Sequence, residues 1–536
     1  MKKIFFYAIS LMCALSAQAA VITYSYDGTK TAAENGTALQ NAITAAQTGD
    51  ELKVQAGTYV GNFTMKDGVN VSGGWDANFE TQTDYATILD ANANGRVVNQ
   101  AAAFETLTIW SNLTIQNGKF TSQHTDKAGS GVFLCDKGQV KHCLIQNNLF
   151  DVTSGEASGG GVYENGYTAS VLVDDCIIRG NTASHGGGVR ICGVIQNSII
   201  ENNTTTINAC GGVQLHYGGA MYNCIVRGNT GKDTGGVRLT GNKACTVANC
   251  LIVGNTATGT IGGLSVESGS QNVYNCTIVG NNQKSASNTG RCGVRINVNT
   301  TAPFYNNIVC GNMVNGVVQN GQLELHANYR STHAMTAFKN NAIVDTAAIV
   351  GVNSIMLNAA EDPGFVDAAN ADYSLLWTSS LVDAGDDSKA QGTTDLAGSA
   401  RKAGNHVDIG AYELPYKTLT IAAFEHATLT AVGPGVLTAG EYPLPQGYTT
   451  TATIVAEEGY NIQSVNCGDA ILVADEGIYT LPALLTDMTL TITVEQNTAT
   501  GINDTNTTTK TIKVIRNGQL FIIRDGKEFN VLGTQL

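Results

Sequence analysis

The feature that most constrains this chain is a seven-residue unit that returns at near-constant spacing. It reads Asp175-Cys176-Ile177-Ile178-Arg179-Gly180-Asn181, then Asn197-Ser198-Ile199-Ile200-Glu201-Asn202-Asn203, then Asn223-Cys224-Ile225-Val226-Arg227-Gly228-Asn229. Copies follow at Asn249–Asn255, Asn275–Asn281 and Asn306–Asn312, and an earlier one lies at His142–Asn148. The steps between Ser198, Cys224, Cys250 and Cys276 are each 26 residues. So short a strand cannot bury its apolar side alone and must stack on copies of itself. One strand closed by a Gly-Asn corner, repeated at this period, is one wall of a coil. The reading is an all-β, parallel β-helix, with coils about 4.8 Å apart. Right-handed coiling follows from the general preference of parallel crossovers. Asn181, Asn203, Asn229, Asn255, Asn281 and Asn312 then stack into a structural asparagine ladder.

A second ladder runs half a coil later. It reads Gly187-Gly188-Val189-Arg190-Ile191, Gly211-Gly212-Val213-Gln214-Leu215, Gly235-Gly236-Val237-Arg238-Leu239, Gly262-Gly263-Leu264-Ser265-Val266 and Cys292-Gly293-Val294-Arg295-Ile296. Gly160-Gly161-Val162-Tyr163 is an earlier member. Period-two alternation buries Val189 and Ile191 and turns Arg190 outward.

Composition narrows the function. Net charge is −14, and no basic stripe with interleaved aromatics is present. Nucleic-acid binding needs a basic face, so that class is excluded. Lys2, Lys3, the apolar run Ile4–Leu15 and Ala17-Gln18-Ala19 read as a signal peptide over 1–19. No later apolar run is long enough to span a membrane. The expected location is therefore secreted or on the outer-membrane cell surface.

After the leader, 20–414 reads as the β-helix. Thr37–Ala46 has Ala38, Leu39, Ala42, Ile43 and Ala46 on one face, and a helix there would cap the first coil. Gly49-Asp50-Glu51-Leu52-Lys53-Val54, then Gly57-Thr58-Tyr59, then Val69–Gly74 resembles the start of pectate-lyase-like β-helix proteins. The Gly-Gly-Val ladder resembles repeats of polymorphic outer-membrane proteins. Asp372–Leu375, Leu381–Asp386 and Val407–Glu413 resemble the closing signature of choice-of-anchor surface β-helices. These resemblances imply a fold and an extracellular setting, and leave activity open.

The Thr-rich alternation of 415–496 reads as a small antiparallel β module, and 497–509 as a polar linker. Residues 510–536 carry Asn517-Gly518 and Asp525-Gly526, two tight-turn signals between apolar strands. This terminal pair resembles the C-terminal sorting domain of type IX secretion cargo in Bacteroidota. That implies the type IX machinery as a partner; the alternative is a final sheet packed on the neighbouring module.

The candidate ligand face is Tyr163, Arg190, Gln214, Arg238 and Arg295. Arginine forks carboxylates bidentately, and repeated arginine beside an aromatic and an amide suits extracellular polysaccharide or another cell-surface ligand. The row two residues further on holds Cys192, His216, Thr240, Glu267 and Asn297. The competing reading is a polysaccharide lyase or glycoside hydrolase acting on acidic glycans, with Arg238, His216 and Glu267 as catalytic candidates. Only a lyase would call for Ca²⁺; the binding reading needs no cofactor. A third reading is a stalk or an adhesin for protein partners. Cys143, Cys176, Cys224, Cys250 and Cys276 share one inward ladder, read as core-filling thiols, and neither cysteine nor histidine shows metal-ligand spacing.

Overall fold

A computed structural model describes residues 19–536, apart from 122, 125–127, 152–156, 167–169, 208, 269–270, 285–290, 297–301, 326–337, 340, 345–354, 358–361, 431–437, 498–510 and 517–518. The leader up to residue 18, Asn297, nearly all of the polar stretch 497–509, and Asn517-Gly518 lie outside the described residues. The chain divides into two compact units, 1–417 with 444–448, and 418–443 with 449–536.

The first unit is a parallel β-solenoid with four walls per coil. One coil runs Val194–Gln196 on wall one, Ile199–Glu201 on wall two, Thr204–Thr205 on wall three and Val213–His216 on wall four. Walls one and two are twelve strands deep, wall three nine and wall four ten. The seven-residue unit supplies two left-handed corners around wall two. Asn197, Asn223, Asn249, Asn275 and Asn306 hold φ between 48° and 58° at the first, and Gly228, Gly254, Gly280 and Gly311 between 61° and 65° at the second. Asparagine and glycine are the residues that enter this region most readily. The three-residue strand between them points its middle side chain inward, so Ile178, Ile200, Val226, Ile252, Ile278 and Val309 are all fully buried.

At the second corner each asparagine side chain reaches the next coil. Asn181 Nδ2 donates to Asn203 Oδ1 at 2.9 Å, Asn229 to Asn255 at 2.9 Å and Asn281 to Asn312 at 2.8 Å. The row starts at Asn148, which donates to Asn181 at 2.9 Å, and ends on Gln322 Oε1 at 2.7 Å from Asn312 Nδ2. At the first corner stand Cys143, Cys176, Ser198, Cys224, Cys250 and Cys276, and the row continues through Asn307, which accepts from the Cys276 amide at 2.9 Å and donates from Nδ2 to Asn341 Oδ1 at 3.1 Å. All twelve described cysteines are buried free thiols.

The capping helix spans Ala32–Ala45, beginning five residues earlier than the amphipathic pattern suggested. Thr31 and Glu34 form a reciprocal capping box that starts it there. Gly36 lets this first turn press on Val60, whose carbonyl a Cβ would strike. Leu39 and Ile43 are buried against the first coils. The short strand Val21–Tyr24 pairs with Glu51–Val54 and adds an outermost rung to wall one.

The end of this unit folds back over wall two. Leu381 and Ile409 pack on Leu251, Val279, Ile308 and Cys310, so outward positions of this wall are apolar too. First-corner groups hold the returning segment: Asn249 Nδ2 donates to Gln391 O at 2.7 Å, and Asn306 Oδ1 accepts from the Asp386 amide at 2.9 Å. Arg401 and Glu413 form a buried pair at 3.0 Å beside the buried Asp408 and Asp395. Burial outweighs the single guanidinium and pushes the Asp408 carboxyl up to about 6 and that of Glu413 to about 7.

In the second unit, Ala427–Thr430, Thr451–Ala456 and Ile478–Thr480 make an antiparallel sheet. In its neighbour Tyr460–Cys467 runs antiparallel to Met488–Gln496, but Leu419–Ile421 joins Met488–Leu490 in parallel. Thr511–Arg516, Gln519–Arg524 and Lys527–Phe529 form a three-stranded antiparallel sheet.

Candidate ligand face

Wall four owes its glycines to the asparagine ladder. A Cβ on Gly188 would lie 2.9 Å from Asn203 Nδ2, and one on Gly212 3.1 Å from Asn229 Nδ2 and 2.5 Å from Gly236 O. The second glycine of each Gly-Gly-Val unit thus makes room for the asparagine of the next coil. The two sequence ladders are two sides of one packing contact.

Beyond the glycines the register is continuous. Tyr163 pairs with Arg190, Arg190 with Gln214, Gln214 with Arg238, Arg238 with Ser265 and Ser265 with Arg295. The row extends back through Phe133 and Asn99 to Thr64, and forward to position 324. It is recessed rather than flat. Gln214 is 6% exposed and Ser265 0%, while Tyr163, Arg190, Arg238 and Arg295 are half-buried. Inner rungs are shielded by their neighbours about 4.8 Å above and below.

Three polar atoms on successive rungs are buried without a hydrogen-bond partner in the protein: Arg190 Nε, Gln214 Oε1 and Arg238 Nε. Such groups cost free energy unless something satisfies them. Arg190 is fixed by Nη1 donating to Ser158 Oγ at 2.5 Å, with its guanidinium 5.9 Å from the Tyr163 ring centre. The Tyr163 and Phe133 ring centres lie 5.5 Å apart with the planes tilted by 33°, and Arg96 lies 4.3 Å over Phe133. Arg96 Nη1 also donates to Asn99 Oδ1 at 2.7 Å. A cavity of about 550 Å³ opens at this end, lined in part by Thr64, Arg96, Asn99, Phe120 and His124. The sequence reading missed Arg96, Asn99 and Phe133. The available signal was Gly131-Val132-Phe133-Leu134, a degenerate copy of the Gly-Gly-Val unit.

The second row is held by internal contacts. His216 is 5% exposed, with Cys192 Sγ 3.4 Å from Nδ1 and 3.3 Å from Nε2. Burial, then the Arg190 charge, pushes its imidazole down to about 4, so it is neutral at pH 7. Burial raises the Cys192 thiol to about 12, which rules out a thiolate–imidazolium pair. Glu267 accepts from Ser265 Oγ at 2.5 Å and faces Arg295 Nη1 at 3.6 Å. Thr240 is the backbone partner of His216 and lies between the His216 and Glu267 rungs. Arg238, His216 and Glu267 therefore occupy different rungs and two rows.

Glu164 stands at a position that Leu134 occupies in the preceding coil. It is 1% exposed, and its Oε2 accepts from the amides of Cys192 at 2.8 Å and Gly193 at 2.5 Å. Those amides form the tight turn of the shortest coil in the asparagine row, the 22-residue step from Asn181 to Asn203. No group of three or more metal-ligating side chains occurs among the described residues, and no helix there is long and apolar enough to cross a membrane.

No family model and no curated protein matches this chain. Among solved structures it is similar to the A-module of mannuronan C-5 epimerase AlgE4 from Azotobacter vinelandii. The two are 16% identical over 60% of this chain and 93% of that one, with a TM-score of 0.35. It is also similar to tailspike protein gp49 of Acinetobacter baumannii bacteriophage Fri1, a capsular polysaccharide depolymerase. That match is 11% identical over 89% of this chain and 83% of that one, with a TM-score of 0.30. A third is a mannuronic acid specific polysaccharide family 6 lyase from human gut microbiota, 9% identical over 63% and 91%, with a TM-score of 0.23.

Proposed function

We propose that this chain is a secreted or surface-attached solenoid that binds extracellular polysaccharide along wall four. The row of Tyr163, Arg190, Gln214 and Arg238 carries the reading, because its buried donors and acceptor have no partner within the protein. A linear glycan meets such a row rung by rung, offering hydroxyls to Gln214 and ring faces to Tyr163 and Phe133. The half-buried arginines lose little freedom on binding, which favours affinity.

Binding fits these side chains better than cleavage does. A hydrolase needs two carboxyl groups across one glycosidic bond. Glu267 is engaged by Ser265 and Arg295, and Glu164 Oε2 by the turn at Cys192. The leader at 1–19 supports export. The sheet at 511–529 supports delivery by type IX machinery, which would read it as a sorting signal.

The test is retention of the mature chain on a panel of acidic and neutral polysaccharides, with and without Ca²⁺, while new reducing or unsaturated ends are followed. Retention without product, weakened by Arg190→Ala and Arg238→Ala, is the expected result. Product that Arg238→Ala abolishes establishes the enzyme instead. Retention on no polysaccharide overturns the reading and leaves a protein adhesin or a stalk.

A further inference from the structure

Charge along wall four alternates with the coil. Arg190, Arg238 and Arg295 stand on alternate rungs, with the neutral Gln214 and Ser265 between them. Successive arginines are thus two coils apart, about 10 Å. An extended pyranose chain advances about as far per sugar as this solenoid does per coil. A glycan lying along the axis therefore presents every second sugar to an arginine.

The three arginines are not equivalent. Arg238 makes no ion pair among the described residues, and its Nε is buried without a partner. Arg190 is held by a serine hydroxyl and an aromatic ring, neither of which cancels its charge. Arg295 is different: Glu267 lies 3.6 Å away. On a chain of net charge −14, Arg190 and Arg238 make a local positive pair around a buried, partnerless amide oxygen. His216, whose ring is neutral, adds no charge of its own.

We infer that the ligand of this face is an anionic glycan with its charge on every second sugar. Carboxylates or sulfates on sugars n and n+2 meet Arg190 and Arg238, and the neutral sugar n+1 lies over Gln214 and donates a hydroxyl to its Oε1. The inference rests on the glycan-binding reading and specifies its substrate class. A polymer charged at every sugar sets an anion against the Gln214 acceptor, where it meets no cation. A neutral polymer leaves both half-buried guanidiniums without counter-charge.

The test uses the full mature chain and three probes by titration calorimetry at low salt. They are hyaluronan oligosaccharides (carboxylate on alternate sugars), oligomannuronate (carboxylate on every sugar) and neutral chitin oligosaccharides. The expected order has hyaluronan tightest by about tenfold, the scale of one charge-assisted hydrogen bond. Affinity falls as salt rises. Arg238→Ala lowers hyaluronan affinity by about tenfold or more, and Arg238→Lys restores part of it. Glu267→Gln raises it severalfold, because the charge of Arg295 is released. Thermal unfolding of each variant separates loss of binding from loss of fold.

Oligomannuronate binding as tightly as hyaluronan overturns the charge period and leaves the glycan face standing. So does chitin binding that is equally tight and indifferent to Arg238→Ala. A Glu267→Gln variant that folds normally but binds hyaluronan no better overturns the assignment of Arg295 as a neutralised rung. Binding of none of the three probes by a folded chain overturns both this inference and the glycan-binding reading.

Discussion

Replacing Asn255 by alanine tests whether the asparagine ladder holds the coils together. Asn255 Oδ1 accepts from the backbone N of Asn229 at 3.0 Å and from Asn229 Nδ2 at 2.9 Å. Its own Nδ2 donates to Val226 O at 2.9 Å and to Asn281 Oδ1 at 2.9 Å. Alanine removes all four bonds. Asn281 Oδ1 keeps the donor at Asn255 N, and Asn229 Nδ2 keeps one bond to Ile200 O. Two donors on Asn229, its backbone N–H and one amide hydrogen, are left buried and unmet. At roughly 1–3 kcal/mol each, the loss is about 2–6 kcal/mol. Solenoid stability is a sum over coils and their interfaces, so the effect belongs to this coil and its neighbours. Native-state hydrogen exchange reads it as a drop in the opening free energy of the Asn229 and Asn255 amides. The exposed Asn78→Ala is the control. A loss under about 1 kcal/mol at these amides refutes the reasoning.

Three further outcomes follow from buried groups. Asp408 and Glu413 have folded-state pKa values raised by burial, to about 6 and about 7. The folded state therefore holds protons that the unfolded chain has released, and this contribution is full below about pH 4 and fades as pH rises through 6 to 7. The opening free energy of amides in 395–413, with the base-catalysed rise of intrinsic exchange divided out, will fall between about pH 4 and pH 7, and Asp408→Asn will flatten that slope; an unchanged slope counts against the assignment. The twelve described cysteines are buried, and burial raises thiols such as Cys250 and Cys276 well above the ordinary range. A disulfide-exchange thiol reagent will label none of them rapidly until denaturant is added, and one fast-reacting thiol among them contradicts the packing. Glu164→Leu strips the acceptor from the Cys192 and Gly193 amides and will lower local stability there by about 2–6 kcal/mol, as seen in exchange of those amides. Unaltered exchange at both would show that Glu164 does not hold the turn.

The solenoid was legible because its corners and core write themselves into the sequence. Two left-handed residues, an asparagine and a glycine, bracket a strand of three with one buried centre, and no other element imposes that pattern. The row of Tyr163, Arg190, Gln214, Arg238 and Arg295 was legible for a related reason: period-two alternation against the Gly-Gly anchor sets which residue faces out. What alternation does not encode is depth. Gln214 faces out and is still buried, because the rungs above and below shield it. The helix start was placed five residues late, since Asn35 and Gly36 are poor helix formers; the Thr31–Glu34 box and the fit of Gly36 against Val60 outweigh propensity. The returning segment showed in its closing signature at Leu381–Asp386 and Val407–Glu413, but its place over wall two left only an indirect trace, the apolar outward residues Leu251, Val279 and Ile308. Arg96 escaped notice because its contacts to Phe133, Ala128 O and Gly129 O cross to a coil whose sequence repeat is degenerate.

Arginine-selective modification read by mass spectrometry tests the ligand face most directly. Arg190 and Arg238 lie on wall four, while Arg227 lies on the outer row of wall two, paired with Glu201 at 2.7 Å. The folded chain is labelled with and without the polysaccharide that retains it. The account predicts that bound polysaccharide slows modification of Arg190 and Arg238 and leaves Arg227 unchanged. Protection of Arg227 with Arg190 and Arg238 still reactive would contradict it.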